Sequence, residues 1–503
     1  MPCLTQNIFR SETIMDQNNT PLFTAVKKYK DKKPAYFCIP GHRAARGIAA
    51  EWIEDVGEQI FGYDLTEAHG LDDLHAPEGA IKEAQDLTAD LYGADKSWFL
   101  VNGTTCGNEA MLLSVLRPGD KVLLPRNVHK SMLMGLILSG AVPVWMMPEY
   151  IALLQIFGGI RPEAVEKALQ KDPSISAVAL VSPNYYGMLS DISRIAAICH
   201  AHQIPLLVDE AHGAHLYFSD RLPKGALACG ADLCVQSWHK VTSALGQSSV
   251  LHLRSDLVEK ATVDAALKLV QSTSPSYLLM TSLDLARREL ACHGQKQLDL
   301  LQQTASTVRN RIRQIPGLSC PGKELVGQYG ICALDESRLT IDVSRLSLNG
   351  QEFSDLLFSR FGVDLELAEE KIALAILTAA NTSGDILRLL DALSAIAAEY
   401  HAASPVQTPA EFSTLSALPP MVYPPRQAWF AHKKSVSFAQ AIGQVSAEAV
   451  IPYPPGIPVL YPGEKITEEI WKMILHLKKQ GCHFHGPIDL SLETIQIISP
   501  DQN

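Results

Sequence analysis

The segment Gln236-Ser237-Trp238-His239-Lys240 carries the sharpest chemistry in the sequence. A short apolar run reaches a polar cluster that closes on a lysine. At the carboxyl end of a strand and partly desolvated, such an amine loses pKa and can form a Schiff base with a carbonyl ligand. An ordinary surface lysine after a strand accounts for the five residues as well. Upstream, the apolar run 204–208 stops at Asp209-Glu210-Ala211-His212. A buried strand that ends in a carboxylate needs a cation or several hydrogen bonds beside it. A protonated pyridine nitrogen is one such partner, and a structural Arg or Lys is another. Ala211 shares Asp209's side of an extended chain, so an acid could meet a ring's edge and a methyl its face. Earlier still, Asn102-Gly103-Thr104-Thr105 joins a strand to a helix. Glycine and hydroxyls at a helix N-terminus make an anion cup, although a hydroxyl-capped helix start is the plainer reading. The pattern is neither a P-loop nor GxGxxG. His129 follows another strand and, alone, reads as a loop histidine. Taken together, the cup at Thr104 and Thr105, the flat ring of His129, the acid Asp209, the methyl of Ala211 and the amine of Lys240 match what pyridoxal phosphate requires.

These residues need a scaffold that brings strand ends together. Apolar runs of strand length recur at 97–101, 121–125, 142–147, 177–182, 205–209 and 232–236, separated by stretches long enough for crossovers. Runs without alternation suggest strands buried on both faces, hence a mostly parallel sheet flanked by helices such as 81–92 and 105–116. Ligands of such sheets bind outside the carboxyl ends of the strands. The second half differs. A long helical stretch over 285–315 precedes a candidate strand at 339–343 and helices at 352–361 and 384–400, the pattern of a smaller α/β unit. Pro, Ala, Ser and Thr crowd 401–425, which reads as a linker, and a last unit contains a helix at 468–479. The expected division is an N-terminal arm (1–48), a large domain (49–300), a small α/β domain (301–400), the linker (401–425) and a C-terminal domain (426–503).

Charge and composition exclude whole classes. Lys plus Arg number 43 against 54 for Asp plus Glu, a net charge of −11, which disfavours a nucleic-acid or anionic-membrane partner. Apolar residues at 47% and charged residues at 19% exclude disorder and coiled coil. Ten cysteines show no CxxC and no zinc-type spacing with histidine, so free thiols in a reducing compartment, and no metal site, are expected. The N-terminus lacks an apolar core for a signal peptide, and the longest uncharged stretches fall short of the roughly 20 apolar residues that span a bilayer. A cytoplasmic protein is expected.

The sequence resembles the fold-type-I pyridoxal-phosphate decarboxylases of the ornithine/lysine/arginine group over most of its length. The motifs are PGHRAARG (40–47), DLTEAHGLDDLHAPEGAI (64–81), VNGTTCGNEAML (101–112), RNVHKSM (126–132), SPNYYG (182–187), VDEAHGAH (208–215), SWHKVTSALGQSSVLH (237–252) and VIPYPPGIPVLYPGE (450–464). The short stretch before residue 40 is similar to the shorter members, without an N-terminal wing domain. The resemblance implies that Lys240 holds pyridoxal 5'-phosphate as a Schiff base, that Asp209 pairs with the pyridinium and that His129 stacks on the ring. It implies phosphate contacts from Ser237, His239, Thr104 and Thr105. His212 lies beside them, where another family branch carries a bulkier aromatic. Glu464 and the pair Asp72-Asp73 are candidates for reading a substrate's distal cation, the pair from a neighbouring subunit of a homodimer or larger assembly. The implied reaction is decarboxylation of a small basic amino acid, arginine to agmatine for polyamine biosynthesis, with lysine or ornithine as the alternative.

Two rivals remain open at this point. A fold-type-I aminotransferase or aldolase would clamp the substrate carboxylate with an arginine of the small domain, and Arg338 stands where one could. A metallohydrolase would use Asp209, Glu210, His212 and His215, although HExxH is absent.

Overall fold

Short apolar runs buried on both faces form the centre of the molecule, seen here in a computed structural model that describes residues 15–401, 418–453, 456–479 and 481–499. The strands are β1 (Lys96–Leu100), β2 (Lys121–Pro125), β3 (Val142–Met146), β4 (Ile175–Val181), β5 (Leu206–Asp209), β6 (Leu233–Ser237) and β7 (Ser249–Leu253), in the sheet order β1-β7-β6-β5-β4-β2-β3. The pairs β3/β2, β2/β4, β4/β5 and β5/β6 are parallel, whereas β7 is antiparallel to both β6 and β1. Two reversals cancel, so β1 points the same way as β6. The carboxyl ends of β1, β2, β5 and β6 therefore share one edge. Six strands coincide with the runs expected from the sequence. The seventh, β7, was not anticipated, because Ser249 and His252 interrupt its apolar character.

Alternate residues of each strand face opposite layers. Val122, Leu124, Ala177, Ala179, Leu207, Val235 and Leu251 face one layer, formed by helices α3 (Gly103–Val115), α4 (Lys130–Ser139) and α7 (Lys260–Val270). Leu123, Val178, Leu180, Leu206 and Val208 face the other, formed by α5 (Pro162–Lys171) and α6 (Ile192–Ala201). Gly107 lets α3 lie close to the sheet: a Cβ there would stand 2.3 Å from Val235 Cγ2 and 2.8 Å from Leu100 Cδ1. That approach fixes the height of the helix start above the strand ends.

The N-terminal segment is not only an arm. Its helix α1 (Pro21–Asp31) buries Leu22 and Val26 against α2 (Ala80–Tyr92) and α8 (Tyr277–Arg313). Asp284 on α8 accepts the Leu22 and Phe23 N–H groups at 3.0 and 3.1 Å, so a far-off acid caps a helix that polar composition had disguised. The 37-residue α8 leads to a second sheet of β8 (Arg338–Asp342), β9 (Leu367–Ala368) and β10 (Ile372–Ile376), ordered β8-β10-β9 and antiparallel. Helices α9 (Gly350–Phe361) and α10 (Ser383–Tyr400) cover it. Most of the expected linker lies outside the described residues, as do Pro454 and Pro455 of the C-terminal motif. The last unit contains α11 (Pro425–Phe430), β11 (Lys433–Ser437), β12 (Ile451–Tyr453), α12 (Glu468–Lys479), β13 (His483–His485) and β14 (Thr494–Ile498). Strand β11 pairs with β14 and β12 with β13, around Phe438, Leu460, Ile470 and Ile474. Among the described residues no helix is long and apolar enough to cross a membrane.

Candidate active site

The shared strand edge gathers most of the residues singled out above. Asp209 closes β5 with its side chain 3% exposed. Asn108 Nδ2 donates to its Oδ2 at 2.7 Å and Ala211 N–H to its Oδ1 at 3.0 Å. The same Asn108 amide donates to Ser131 Oγ at 2.8 Å, and Ser131 Oγ lies 2.9 Å from His129 Nδ1. A relay thus runs from the acid at the end of β5, through α3, to the imidazole that N-caps α4. With Ser131 N–H also directed at Nδ1 (3.3 Å), that nitrogen is the acceptor and the ring carries its proton on Nε2. Burial pushes the His129 imidazole down to about 4, with Lys240 and Lys130 adding to the effect and Asp209 opposing it. A neutral flat ring results.

Across the edge, Lys240 follows β6 in a single helical turn. Its Nζ lies 3.0 Å from His212 Nε2 and 5.1 Å from the centroid of the Tyr185 ring. Burial lowers the amine's pKa, Arg338 adds to that, and Asp209 and Glu366 pull it back up. His212 is pushed well below the usual imidazole range by burial, then by Lys240 and Arg338. With Lys240 Nζ donating to Nε2, the imidazole proton lies on Nδ1, which is buried and has no partner. The anion cup forms beside them. Thr104 Oγ1 and Ser237 Oγ stand 3.1 Å apart at the start of α3, Thr105 follows in its first turn, and His239 is anchored by its Nδ1 on Ser248 O at 3.0 Å. Gly103, at φ +70, makes the sharp turn into the helix and donates its N–H to Gln247 O.

The fold gives several of the expected groups other partners. Glu464 is wholly buried and gripped by both Nη atoms of Arg126, with Nη2–Oε2 at 2.7 Å, while Tyr461 N–H donates to Oε2 at 2.9 Å. Its carboxylate is committed within the chain. Asp72 is committed as well: its oxygens accept the N–H groups of Asp73, Glu78, Gly79, Ile81 and Lys82 at 2.8–3.2 Å, which anchors the start of α2. Asp73 is exposed and accepts from His75 N–H. The metallohydrolase constellation does not converge either. Glu210 turns to the opposite side from Asp209 and accepts from Tyr217 OH, Ala226 N, Cys234 Sγ and Gln236 Nε2, while His215 pairs with Asp335 at 3.0 Å.

Sequence reasoning missed Asn108, Ser131, Tyr185 and Glu366. The first three lie within the motifs given above, but nothing local says that Asn108 reaches a residue 101 positions away. Glu366 lies on the second sheet's approach to β9, and its charge acts on both Lys240 and Arg338. Arg338 is buried, donating to His212 O at 3.3 Å and to Ser337 Oγ at 3.2 Å, so its fork is occupied by the protein.

The donor set suits pyridoxal phosphate. Two unpartnered buried atoms, Asn108 Oδ1 and His212 Nδ1, flank an amine, a strand-end acid, a neutral imidazole and a hydroxyl-lined helix start. Fold and site thus define an α/β protein that gathers an amine, a buried acid and a hydroxyl-lined helix start at one sheet edge. The family models described as Orn/Lys/Arg decarboxylase, major domain, and Orn/Lys/Arg decarboxylase, C-terminal domain, match residues 20–336 and 409–486. The chain belongs to the Orn/Lys/Arg decarboxylase family, and it is an amino-acid decarboxylase. It is 38% identical to an arginine decarboxylase of Bacillus subtilis, over 96% of this chain and 99% of the other. It is 37% identical to an arginine decarboxylase of Bacillus anthracis, over 96% and 98%. A lysine decarboxylase of Francisella novicida shares the fold at a TM-score of 0.82 and 22% identity, over 95% of this chain and 81% of that one.

Proposed function

We propose that this enzyme decarboxylates arginine to agmatine with pyridoxal 5'-phosphate, attached through Lys240. The observation that carries the chemistry is the desolvated Lys240 amine, 3.0 Å from His212 and on the same strand edge as the carboxylate of Asp209. The choice of arginine rests on the two full-length relatives that bear that name. When bound, pyridoxal phosphate supplies an electron sink for the pair left as the Cα–carboxylate bond breaks. The protein's own groups do the rest. Asp209, held by Asn108 and Ala211 N–H, would pair with the cofactor's protonated ring nitrogen. His129 and the Ala211 methyl would pack against the ring. Thr104, Thr105, Ser237 and His239 hold the phosphate with the N-terminal end of α3. His212 Nε2 would accept a hydrogen bond from the Lys240 amine and orient it. Glu366, exposed at the mouth, draws the substrate's distal cation, the part once expected of Glu464 and Asp72. Asp73 remains the acid of its loop that a second copy of the chain could use, in a homodimer with shared sites. A cytoplasmic enzyme of polyamine synthesis fits this reading.

Borohydride reduction of the purified enzyme should fix the cofactor on the peptide containing Lys240, and Lys240→Ala should abolish both labelling and carbon dioxide release. Label elsewhere would overturn the assignment. Arginine, lysine and ornithine should be assayed separately for carbon dioxide release. If lysine or ornithine exceeds arginine by about tenfold in kcat/KM, roughly 1.4 kcal/mol at the transition state, arginine is wrong.

A further inference from the structure

The buried acid of the C-terminal motif has a partner that lies close to the site. Arg126 follows β2 directly, and only Asn127 and Val128 separate it from His129. Its backbone N–H donates to Met146 O at 2.8 Å, tying it to β3. Its guanidinium is 4% exposed, forked onto Glu464, and donates through Nη2 to Val459 O at 3.1 Å. Two aromatic rings enclose it, with centroids 5.0 Å (Trp145) and 4.3 Å (Tyr461) from Cζ. Further along α4, Leu133 and Ile137 pack on Ala449, Ile451 and Tyr461, and Arg426 donates to the carbonyls of Ile137 and Leu138 at the helix's far end. The C-terminal unit therefore holds α4 at both ends, and the residue that caps its near end is His129.

A buried ion pair is a poor device for stability alone, because well-packed apolar side chains of similar volume serve as well. What a two-pronged arginine–carboxylate contact adds is a fixed distance and a fixed plane. We propose that the Arg126–Glu464 pair lets the C-terminal unit set the place of the His129 ring, so that Glu464 is a positioning residue for the cofactor seat. The proposal rests on the reading above in which His129 faces the cofactor ring. Three residues of chain, at most about 10 Å of contour, leave little slack between the pair and the imidazole. An error of about 1 Å in the seat of a reacting ring costs rate steeply, up to roughly a hundredfold.

The test compares Glu464→Gln with Arg426→Ala, which releases the far end of the same helix, in the full-length holoenzyme. Three quantities are read: the pyridoxal phosphate dissociation constant, the visible circular dichroism of the bound cofactor, and kcat against KM. Glu464→Gln should weaken cofactor binding by about tenfold or more, alter the dichroism and lower kcat more than it raises KM, while Arg426→Ala stays within about twofold. Equal losses in both variants would mean general loosening and would overturn the proposal, as would a Glu464→Gln enzyme within about twofold of the parent on all three. If Glu464→Gln does not fold, the double variant Arg126→Met/Glu464→Met removes both buried charges. It should fold and show the same loss of cofactor binding, and unchanged binding overturns the proposal. A parent enzyme that binds no pyridoxal phosphate, or is not labelled at Lys240, instead refutes the functional reading itself.

Discussion

Glu369 is the acid whose titration the structure predicts most sharply. The Tyr186 hydroxyl donates to its Oε1, and burial pushes its carboxyl up to about 7 from an ordinary 4.5, against the opposing effect of that hydrogen bond. Because the folded value exceeds the unfolded one, folding is unpenalised below about pH 4.5 and loses stability as the pH rises through 7. At about 1.36 kcal/mol per pH unit of displacement, the full loss approaches 3 kcal/mol above pH 8. Partial exposure of the residue makes that an upper figure. Glu369→Gln keeps an acceptor for Tyr186 and removes the titration. The variant should match the parent near pH 5 and exceed it by up to about 3 kcal/mol near pH 8.5. Amide exchange is the suitable assay, since a chain of this size unfolds piecewise. Peptides covering 184–189 and 364–372, the loops that the Tyr186–Glu369 bond joins, should lose protection with rising pH in the parent, beyond the intrinsic base effect, and keep it in the variant. Parallel pH dependence in both proteins would refute the argument. The loops matter for catalysis because Tyr185 and Glu366 lie on them.

Three further outcomes follow from single contacts. Asn108→Ala deletes a donor to a buried carboxylate and the bond to Ser131, and should lower stability by about 2–4 kcal/mol; a change below about 1 kcal/mol in denaturant unfolding would remove Asn108 from the relay. Glu366→Gln should raise KM for the basic substrate by about tenfold with little change in kcat, and an unchanged KM would send the search for the cation reader elsewhere. Asp72→Ala strips the start of α2 of its acceptor and should cost about 1–2 kcal/mol in stability while leaving KM intact; a raised KM with unchanged stability would restore Asp72 as a substrate ligand.

The legible parts of this protein are those where one residue type at one place in an element decides the outcome. Six strands could be read because both of their faces are buried, which leaves no polar alternation to confuse with a helix. The seventh is equally buried, but His252 satisfies its nitrogens with Ser97 Oγ and Gln236 Oε1 at 2.8 and 3.1 Å, and a polar residue paired in the core looks like a break in the run. Lys240, Asp209 and His129 drew attention because each stands at or shortly after the end of a strand. Their supports could not. Asn108 and Ser131 belong to different helices, and the spacing within each helix carries no trace of their meeting. The pairing of Glu464 was hidden for the same reason, since its partner Arg126 lies 338 residues earlier. Asp72 sits too far before α2 for the usual capping position, and the loop 73–79 must curl back before its oxygens meet the helix N–H groups.

One arrangement recurs at every junction between units. Arg287, paired with Asp284, donates to the carbonyls of Gln17 and Asn19 and fastens the N-terminal segment to α8. Arg338, 3.9 Å from Asp335, donates to His212 O and fastens the second sheet to the loop after β5. Arg126, forked onto Glu464, fastens the C-terminal unit to the end of β2. In each case a buried guanidinium has a carboxylate close by and reaches backbone oxygens across the junction. The neighbouring acid offsets the cost of burying the cation, and the remaining donors find carbonyls that are themselves fixed by the fold. Such a contact is directional, so it sets orientation where apolar packing alone would allow slip. At the amine, Asp209 and Glu366 raise the pKa against burial and against Arg338. In the proposed reading, a basic substrate entering past Glu366 meets two imidazoles whose charging burial opposes and an amine whose pKa burial lowers, an arrangement that suits the site to an amino acid whose far end is positive.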